Sequence, residues 1–135
     1  MYEQITAFLP KFKENGYGKW VRSGRGFLKK QNQPPHVVYS ETVQEFESAV
    51  FEFVEEHGEM GLTDYSGVLG EAGVSPDFES LKAADVSEYD GRTVMALIVG
   101  AIRAERFCDG ALLGALESGL IQKWLGRLVE IDEEK

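Results

Sequence analysis

The stretch Val94-Met95-Ala96-Leu97-Ile98-Val99-Gly100-Ala101-Ile102 is the longest apolar run of the chain, and it decides the class of fold. Apolar residues recur in it at intervals of three and four, which is the spacing of one face of an α-helix. That stripe consists of Val94, Leu97, Ile98, Ala101 and Ile102. The run is far shorter than the roughly 20 residues that a bilayer-spanning helix needs. We therefore expect the central helix of a water-soluble fold and no membrane segment.

Helical patterns continue on both sides of this central run. The spacing of apolar residues predicts helices over residues 2–14, from a cap at Ser40 or Thr42 to Gly58, from Asp64 to about Gly73, and from Ser75-Pro76 through Leu81. After a break at Asp109-Gly110, it predicts a short helix ended by Gly119 and a last helix through Leu128. Pro10 is expected to bend or split the first helix. The fold class is therefore mainly α, a compact multi-helix single domain spanning residues 1–135.

Two segments depart from the helical pattern. Residues 17–39 form a basic loop region rich in glycine and proline, in which Lys19 to Val21 and Val37 to Tyr39 favour a short two-stranded hairpin. Residues 130–135 form an acidic tail, which we expect to fray into solvent.

Composition indicates a cytoplasmic protein. The chain has 135 residues, of which 43% are hydrophobic, and this is enough to build a core without disulfides. Its single cysteine, Cys108, cannot form an internal disulfide, so an oxidising compartment is not indicated. The first residues lack the basic region of a signal peptide, and Pro10 interrupts the apolar stretch that follows.

Charge is distributed unevenly along the chain. The net charge is −9, yet residues 1–40 carry +5, residues 41–90 carry −13 and residues 91–135 carry −1. A strongly negative surface argues against duplex nucleic acid as a partner, because phosphate binding needs a positive field. The basic aromatic segment 17–30 is compatible with single-stranded nucleic acid. We favour its packing on the core and against the acidic helix that carries Glu45, Glu52, Glu55 and Glu56.

The densest polar cluster follows the central run and is our candidate site: Arg103, Glu105, Arg106, Cys108 and Asp109. Helical spacing carries the apolar stripe directly onto Glu105, and an unpaired buried carboxylate would cost several kcal/mol. We favour a structural role, in which Glu105 accepts backbone N–H groups from the next helix or pairs with Arg127. The functional alternative makes Glu105 an acid or base and makes Arg103 and Arg106 ligands of an anion.

Other residue types give weaker indications of chemistry. Cys108 lacks a histidine at a spacing that would activate it, so we interpret it as structural rather than catalytic. His57, Glu59 and Asp64 do not follow a known metal-ligand spacing. We therefore expect no metal and no cofactor, and a protein that is not an enzyme.

The segment Arg103-x-Glu105-Arg106-Phe107-Cys108-x-Gly110-x-Leu112, followed by Gly119-x-Ile121-x-x-Trp124-Leu125-x-Arg127-Leu128, resembles a bacterial family of proteins whose domain has no known function. The resemblance is clearest over 85–128 and looser over 39–58. It implies a small, mainly helical protein of bacterial or phage origin, with Arg-x-Glu-Arg-Phe-Cys-x-Gly as its signature.

Three hypotheses of function follow. The first is a non-enzymatic module that binds a protein partner through an acidic face that includes Glu52, Glu55 and Glu56. The second is a binder of single-stranded nucleic acid that uses residues 17–30. The third is a ligand-binding protein or enzyme with an anion site at Arg103, Glu105 and Arg106.

Overall fold

A helix that is buried on every side organises the structure. The computed structural model of the chain describes residues 1–14, 17–21, 36–75, 78–83, 85–106, 108 and 110–134. The helices lie at Glu3–Thr6 (α1), Phe8–Glu14 (α2), Glu41–Glu56 (α3), Tyr65–Glu71 (α4), Phe78–Ala83 (α5), Gly91–Ala104 (α6), Ala111–Glu117 (α7) and Leu120–Glu133 (α8). Short 3-10 turns lie at Gly58–Met60, Leu62–Asp64 and Val86–Glu88. The predicted fold class is thus confirmed.

The central helix α6 packs against α4, α5, α7 and α8. All nine residues of the apolar run from Val94 to Ile102 are buried, including Met95, Ala96 and Val99, which lie off the predicted stripe. The predicted stripe therefore accounts for only part of the buried surface of α6, because neighbouring helices cover residues 94–102 on all sides. Tyr65 of α4 packs over Gly100, where a Cβ would lie 3.4 Å from the tyrosine ring, at ordinary van der Waals contact.

Short polar side chains begin several helices, as the sequence predicts. Ser40 rather than Thr42 caps α3, with its Oγ accepting from the Val43 amide at 3.3 Å. Asp64 accepts from the Gly67 amide before α4, and Asp90 accepts from the Thr93 amide before α6. These caps satisfy amide groups that have no partner within the helix.

The amino-terminal segment is split into two helices, as Pro10 suggested. The break falls at Ala7, and Pro10 occupies the first turn of α2, where a missing amide donor is tolerated. Ile5, Phe8 and Phe12 are buried against α3 and α8. This segment therefore covers one side of the core.

The hairpin is confirmed as two antiparallel strands, Gly18–Val21 (β1) and His36–Tyr39 (β2). Gly18 pairs with Tyr39 and Lys19 with Val38, and a Cβ at Gly18 would collide with the main chain of β2. Val38 is exposed, whereas Tyr39 on the opposite face packs against the core. The hairpin thus directs Tyr39 towards the helices.

The carboxyl-terminal helix is longer than the sequence suggests. Helix α8 continues to Glu133, and Asp132 accepts a hydrogen bond from the Tyr2 amide at 3.0 Å. The expectation of a tail frayed from residue 130 is wrong for Asp132, because this contact holds the helix end against α1. Within the described part of the chain, no helix is both long enough and apolar enough to cross a membrane.

The contact between the start of α6 and Tyr2 yields a test of packing. A Cβ at Gly91 would collide with the ring of Tyr2, which stacks on Phe53 at 5.4 Å. We predict that Gly91→Ala lowers the free energy of unfolding by about 1–3 kcal/mol, the usual cost of overpacking. Gly126→Ala is the matched control, because a Cβ there meets nothing within 4 Å and alanine favours a helix.

Urea denaturation of both variants measures the difference. The Gly126→Ala variant is expected to gain about 0.5–1 kcal/mol. Equal effects of the two substitutions would contradict the close approach of Tyr2 to α6.

Candidate functional site

The predicted polar cluster lies at the turn between α6 and α7. Arg103 is in the last turn of α6, while Glu105 and Arg106 follow its last residue. Cys108 is exposed, and its amide donates to the carbonyl of Ala104 at 3.0 Å. Asp109 lies outside the described residues. The carboxylate and the two guanidinium groups are therefore brought to one end of the central helix.

The carboxylate of Glu105 accepts three hydrogen bonds. Its Oε2 accepts from the Gly110 amide at 3.0 Å, and its Oε1 accepts from the Leu112 amide at 3.0 Å and the Tyr39 hydroxyl at 2.8 Å. The amides belong to the start of α7, where Gly110 has no side chain to serve as a cap and adopts a left-handed conformation with φ of 92°. Glu105 therefore satisfies amide groups that α7 cannot satisfy itself.

Two structural roles were expected for Glu105: accepting backbone N–H groups of the next helix, or pairing with Arg127. The structure shows the first. Arg127 does not pair with Glu105. Its Nε donates to the carbonyl of Tyr89 at 3.1 Å, and its Nη1 lies 3.3 Å from Glu130. The carboxylate is thus held by main-chain amides and a phenol rather than by a guanidinium group.

Tyr39 is a central residue of this arrangement that the sequence did not identify. Its hydroxyl donates to Glu105 and accepts a hydrogen bond from the Leu113 amide at 3.0 Å. Burial, together with the hydrogen bond to Glu105, raises the pKa of Tyr39 above its usual value, so the phenol stays protonated at neutral pH. The two residues are separated by 66 positions, and no local pattern indicates their contact.

A shallow cleft of about 260 Å³ lies beside this network, between α3 and the end of α6. The described residues that line it are Glu47, Phe51, Ile102, Arg103, Glu105 and Arg106. The guanidinium carbon of Arg103 lies 5.1 Å from the centre of the Phe51 ring. Arg103, Glu105 and Arg106 thus share one open cleft, and the sequence missed Glu47 and Phe51 because they belong to a distant helix.

The charge of Glu47 is disfavoured at this position. Burial is the main cause, and the nearby carboxylate of Glu105 adds to it, so that the pKa of Glu47 is raised. Among the described residues, no side chain forms a hydrogen bond or an ion pair with Glu47. Glu47 is therefore a half-buried acid that lines the same cleft as Arg103 and Arg106 and forms no ion pair with either.

His57 and Glu59, which are metal ligands by residue type, contact each other, and His57 also contacts an aromatic ring. His57 stacks near Phe53, with ring centres 4.3 Å apart, and its Nδ1 lies 3.2 Å from Glu59. No three histidine, cysteine, aspartate or glutamate side chains in the described ranges are grouped closely enough to hold a metal ion.

Of the basic aromatic segment, Tyr17 turns towards the core. Its hydroxyl donates to the carbonyl of Phe12 at 2.8 Å and accepts from Gln122 Nε2 at 2.6 Å. Residues 22–35 lie outside the described ranges, so the remaining part of the proposed nucleic-acid surface stays a prediction.

Comparison with known proteins places almost the whole chain in one family. A model described as "Family of unknown function (DUF6508)" matches residues 2–134. The search of curated proteins and the search of solved structures found no match.

The Tyr39 hydroxyl provides a test of the network. In Tyr39→Phe, Glu105 loses one donor and the Leu113 amide loses its acceptor, so we predict a loss of about 1–3 kcal/mol in the free energy of unfolding. Tyr89→Phe is the matched control, because the hydroxyl of Tyr89 has no hydrogen-bond partner among the described residues.

Urea denaturation compares the two phenylalanine variants. The control is expected to change stability by less than about 0.5 kcal/mol. A Tyr39→Phe variant as stable as the control would show that the hydroxyl does not hold the start of α7.

Proposed function

We propose that this chain, which belongs to the DUF6508 family of unknown function, is a non-enzymatic interaction module that binds a basic protein partner through α3. We further propose a bacterial or phage protein of the cytoplasm, since the sequence has one cysteine and resembles a bacterial family. The observation that carries the proposal is an exposed line of carboxylates on this helix.

The acidic stripe of α3 consists of Glu41, Glu45, Glu52 and Glu55, with Ser48 between them. These five positions follow one another at intervals of three and four, so they share one face of the helix. All five residues are exposed, while the opposite face buries Phe46, Val50 and Phe53. The stripe is therefore the solvent-facing side of a helix that is anchored in the core.

The carboxylates of the stripe have no cationic partner within the described part of the chain. The ion pairs found there involve other acids, such as Glu71 with Arg92 and Glu130 with Arg127. Like charges three or four residues apart on a helix destabilise it by about 0.2–0.5 kcal/mol per pair. A row of such charges favours a basic partner, whose binding relieves the repulsion and whose approach the negative field accelerates.

A shallow depression of about 340 Å³ accompanies the stripe. It is lined by Glu41, Gln44, Glu45, Ser48, Ala49 and Glu52. Such an open surface, bordered by three carboxylates, suits the side chains of lysine or arginine on a protein partner better than it suits an enclosed small molecule.

Affinity capture tests the proposal with two variants of equal net charge. We predict that Glu45→Lys/Glu52→Lys/Glu55→Lys lowers recovery of a specific partner from a bacterial lysate by at least about tenfold, since interfacial charges are reversed. The control Glu88→Lys/Glu117→Lys/Glu133→Lys changes three exposed acids on other segments and is expected to retain the partner.

The comparison separates a local surface from a general charge effect. Loss of the partner in both variants would show that the interaction depends on the net charge of the chain and not on the stripe. Retention in both would show that the stripe is not the interface.

Repulsion between neighbouring glutamates of α3 gives a second, partner-free test. Glu52 lies three and four residues before Glu55 and Glu56, so Glu52→Gln removes two unfavourable pairs. We predict a gain of a few tenths of a kcal/mol in the free energy of unfolding at low ionic strength, and no gain at about 1 M salt.

Glu71→Gln is the control for this measurement, because Glu71 pairs with Arg92 at 2.9 Å and no acidic residue lies three or four positions from it, so its removal relieves no repulsion along the helix. Thermal unfolding at two salt concentrations reports the difference. A loss of stability in Glu52→Gln at low salt would show that the carboxylate is paired rather than repelled.

A further inference from the structure

The cleft between α3 and the end of α6 has opposite charges on its two sides. Glu47 of α3 supplies a carboxylate, and Arg103 and Arg106 supply two guanidinium groups. Ile102, which is 6% exposed, and the half-buried ring of Phe51 add apolar surface between them. A ligand of this cleft therefore meets a negative group, positive groups and apolar contacts within one small volume.

The acids of the cleft differ in what they can still bind. Both oxygens of Glu105 already accept hydrogen bonds from Tyr39 and from the start of α7. Glu47, in contrast, has no hydrogen-bond partner among the described residues, although burial disfavours its charge. An ammonium group at Glu47 would stabilise that charge, because a half-buried carboxylate gains most from a nearby cation.

The two arginines are also accessible to a ligand. Arg103 and Arg106 are three residues apart, and within the described ranges neither lies within ion-pair distance of a carboxylate. The contact of Arg103 with the face of Phe51 holds its guanidinium group at the rim. Arg106 is exposed and is thus the more accessible of the two for a ligand carboxylate.

The combination of charges restricts the class of ligand. A simple anion would be repelled by Glu47 and Glu105, and a simple cation would be repelled by the arginines. A zwitterion meets an opposite charge at each end. The volume of about 260 Å³ lies just below the usual range of pockets for drug-sized molecules, so the ligand is small.

We propose that this cleft binds a free α-amino acid with an apolar side chain. Its ammonium group lies at Glu47, its carboxylate lies at Arg106, and its side chain contacts Phe51 and Ile102. Arg103, at the edge of the cleft, adds positive charge near the carboxylate of the ligand. Glu105 does not bind the ligand, because its oxygens already accept hydrogen bonds; it fixes the end of α6, which carries both arginines. The proposal does not depend on the acidic stripe, and its failure would leave the proposed protein interaction untouched.

Titrations followed by amide NMR test the site with four probes. The probes are L-leucine, isocaproate, isoamylamine and inorganic phosphate; isocaproate lacks the ammonium group of leucine, and isoamylamine lacks its carboxylate. We expect leucine to shift the amides of Phe51, Ile102, Arg103 and Arg106 saturably. Its affinity is expected to exceed that of each single-charge analogue by about tenfold, as expected for the loss of one charged hydrogen bond.

Two variants assign the ends of the ligand. Glu47→Gln is expected to weaken leucine about tenfold without weakening isocaproate, whereas Arg106→Gln weakens both and leaves isoamylamine unchanged. Glu52→Gln is the matched control on α3 outside the cleft, and circular dichroism verifies the fold of each variant. The proposal is overturned by the absence of saturable leucine shifts at the cleft, or by phosphate or isocaproate binding as tightly as leucine.

Discussion

The main-chain amides at the start of α7 impose the constraint on which this end of the molecule depends. A helix begins with amide groups that have no partner within it, and Gly110 has no side chain to accept from them. Glu105 and Tyr39 supply the missing acceptors from the end of α6 and from β2. Since an unsatisfied buried donor costs about 1–3 kcal/mol, these contacts fix three elements relative to one another.

This arrangement also places the charges of the neighbouring cleft. Glu105 turns towards α7 and Tyr39, while Arg103 and Arg106 line the cleft beside α3. The ring of Phe51 then lies under Arg103, and Glu47 lies one helical turn before Phe51. The turn between α6 and α7 therefore directs Glu105 to the start of α7 and also places Arg103 and Arg106 in the open cleft.

Much of this fold can be predicted from the sequence, because its helices carry strong local signals. The spacing of apolar residues predicts the central helix, and Ser40 and Asp64 mark predicted helix starts that the structure confirms as caps. The hairpin is also predicted, although its strands are short. Helical spacing alone carries the apolar stripe onto Glu105, which is why this residue could be identified as unusual.

The parts that escaped prediction depend on contacts between distant segments. The hydroxyl of Tyr39 reaches a carboxylate 66 residues away, and Asp132 accepts from the amide of Tyr2, which precedes α1 and lies 130 residues away. Periodicity along one helix also cannot show that α6 is covered on every side, since this depends on where α4, α5, α7 and α8 pack. The place of Glu47 and Phe51 in the cleft also escaped prediction, because it depends on where α3 lies relative to the end of α6.

The central claim is that Glu105 and Tyr39 act together on the start of α7, and a double-mutant cycle tests it most directly. The free energy of unfolding is measured for the wild type, Tyr39→Phe, Glu105→Ala and the double variant. Residues that share a hydrogen-bond network show coupling of about 0.5–3 kcal/mol, and we expect a value in this range. Additive effects of the two substitutions would contradict the account.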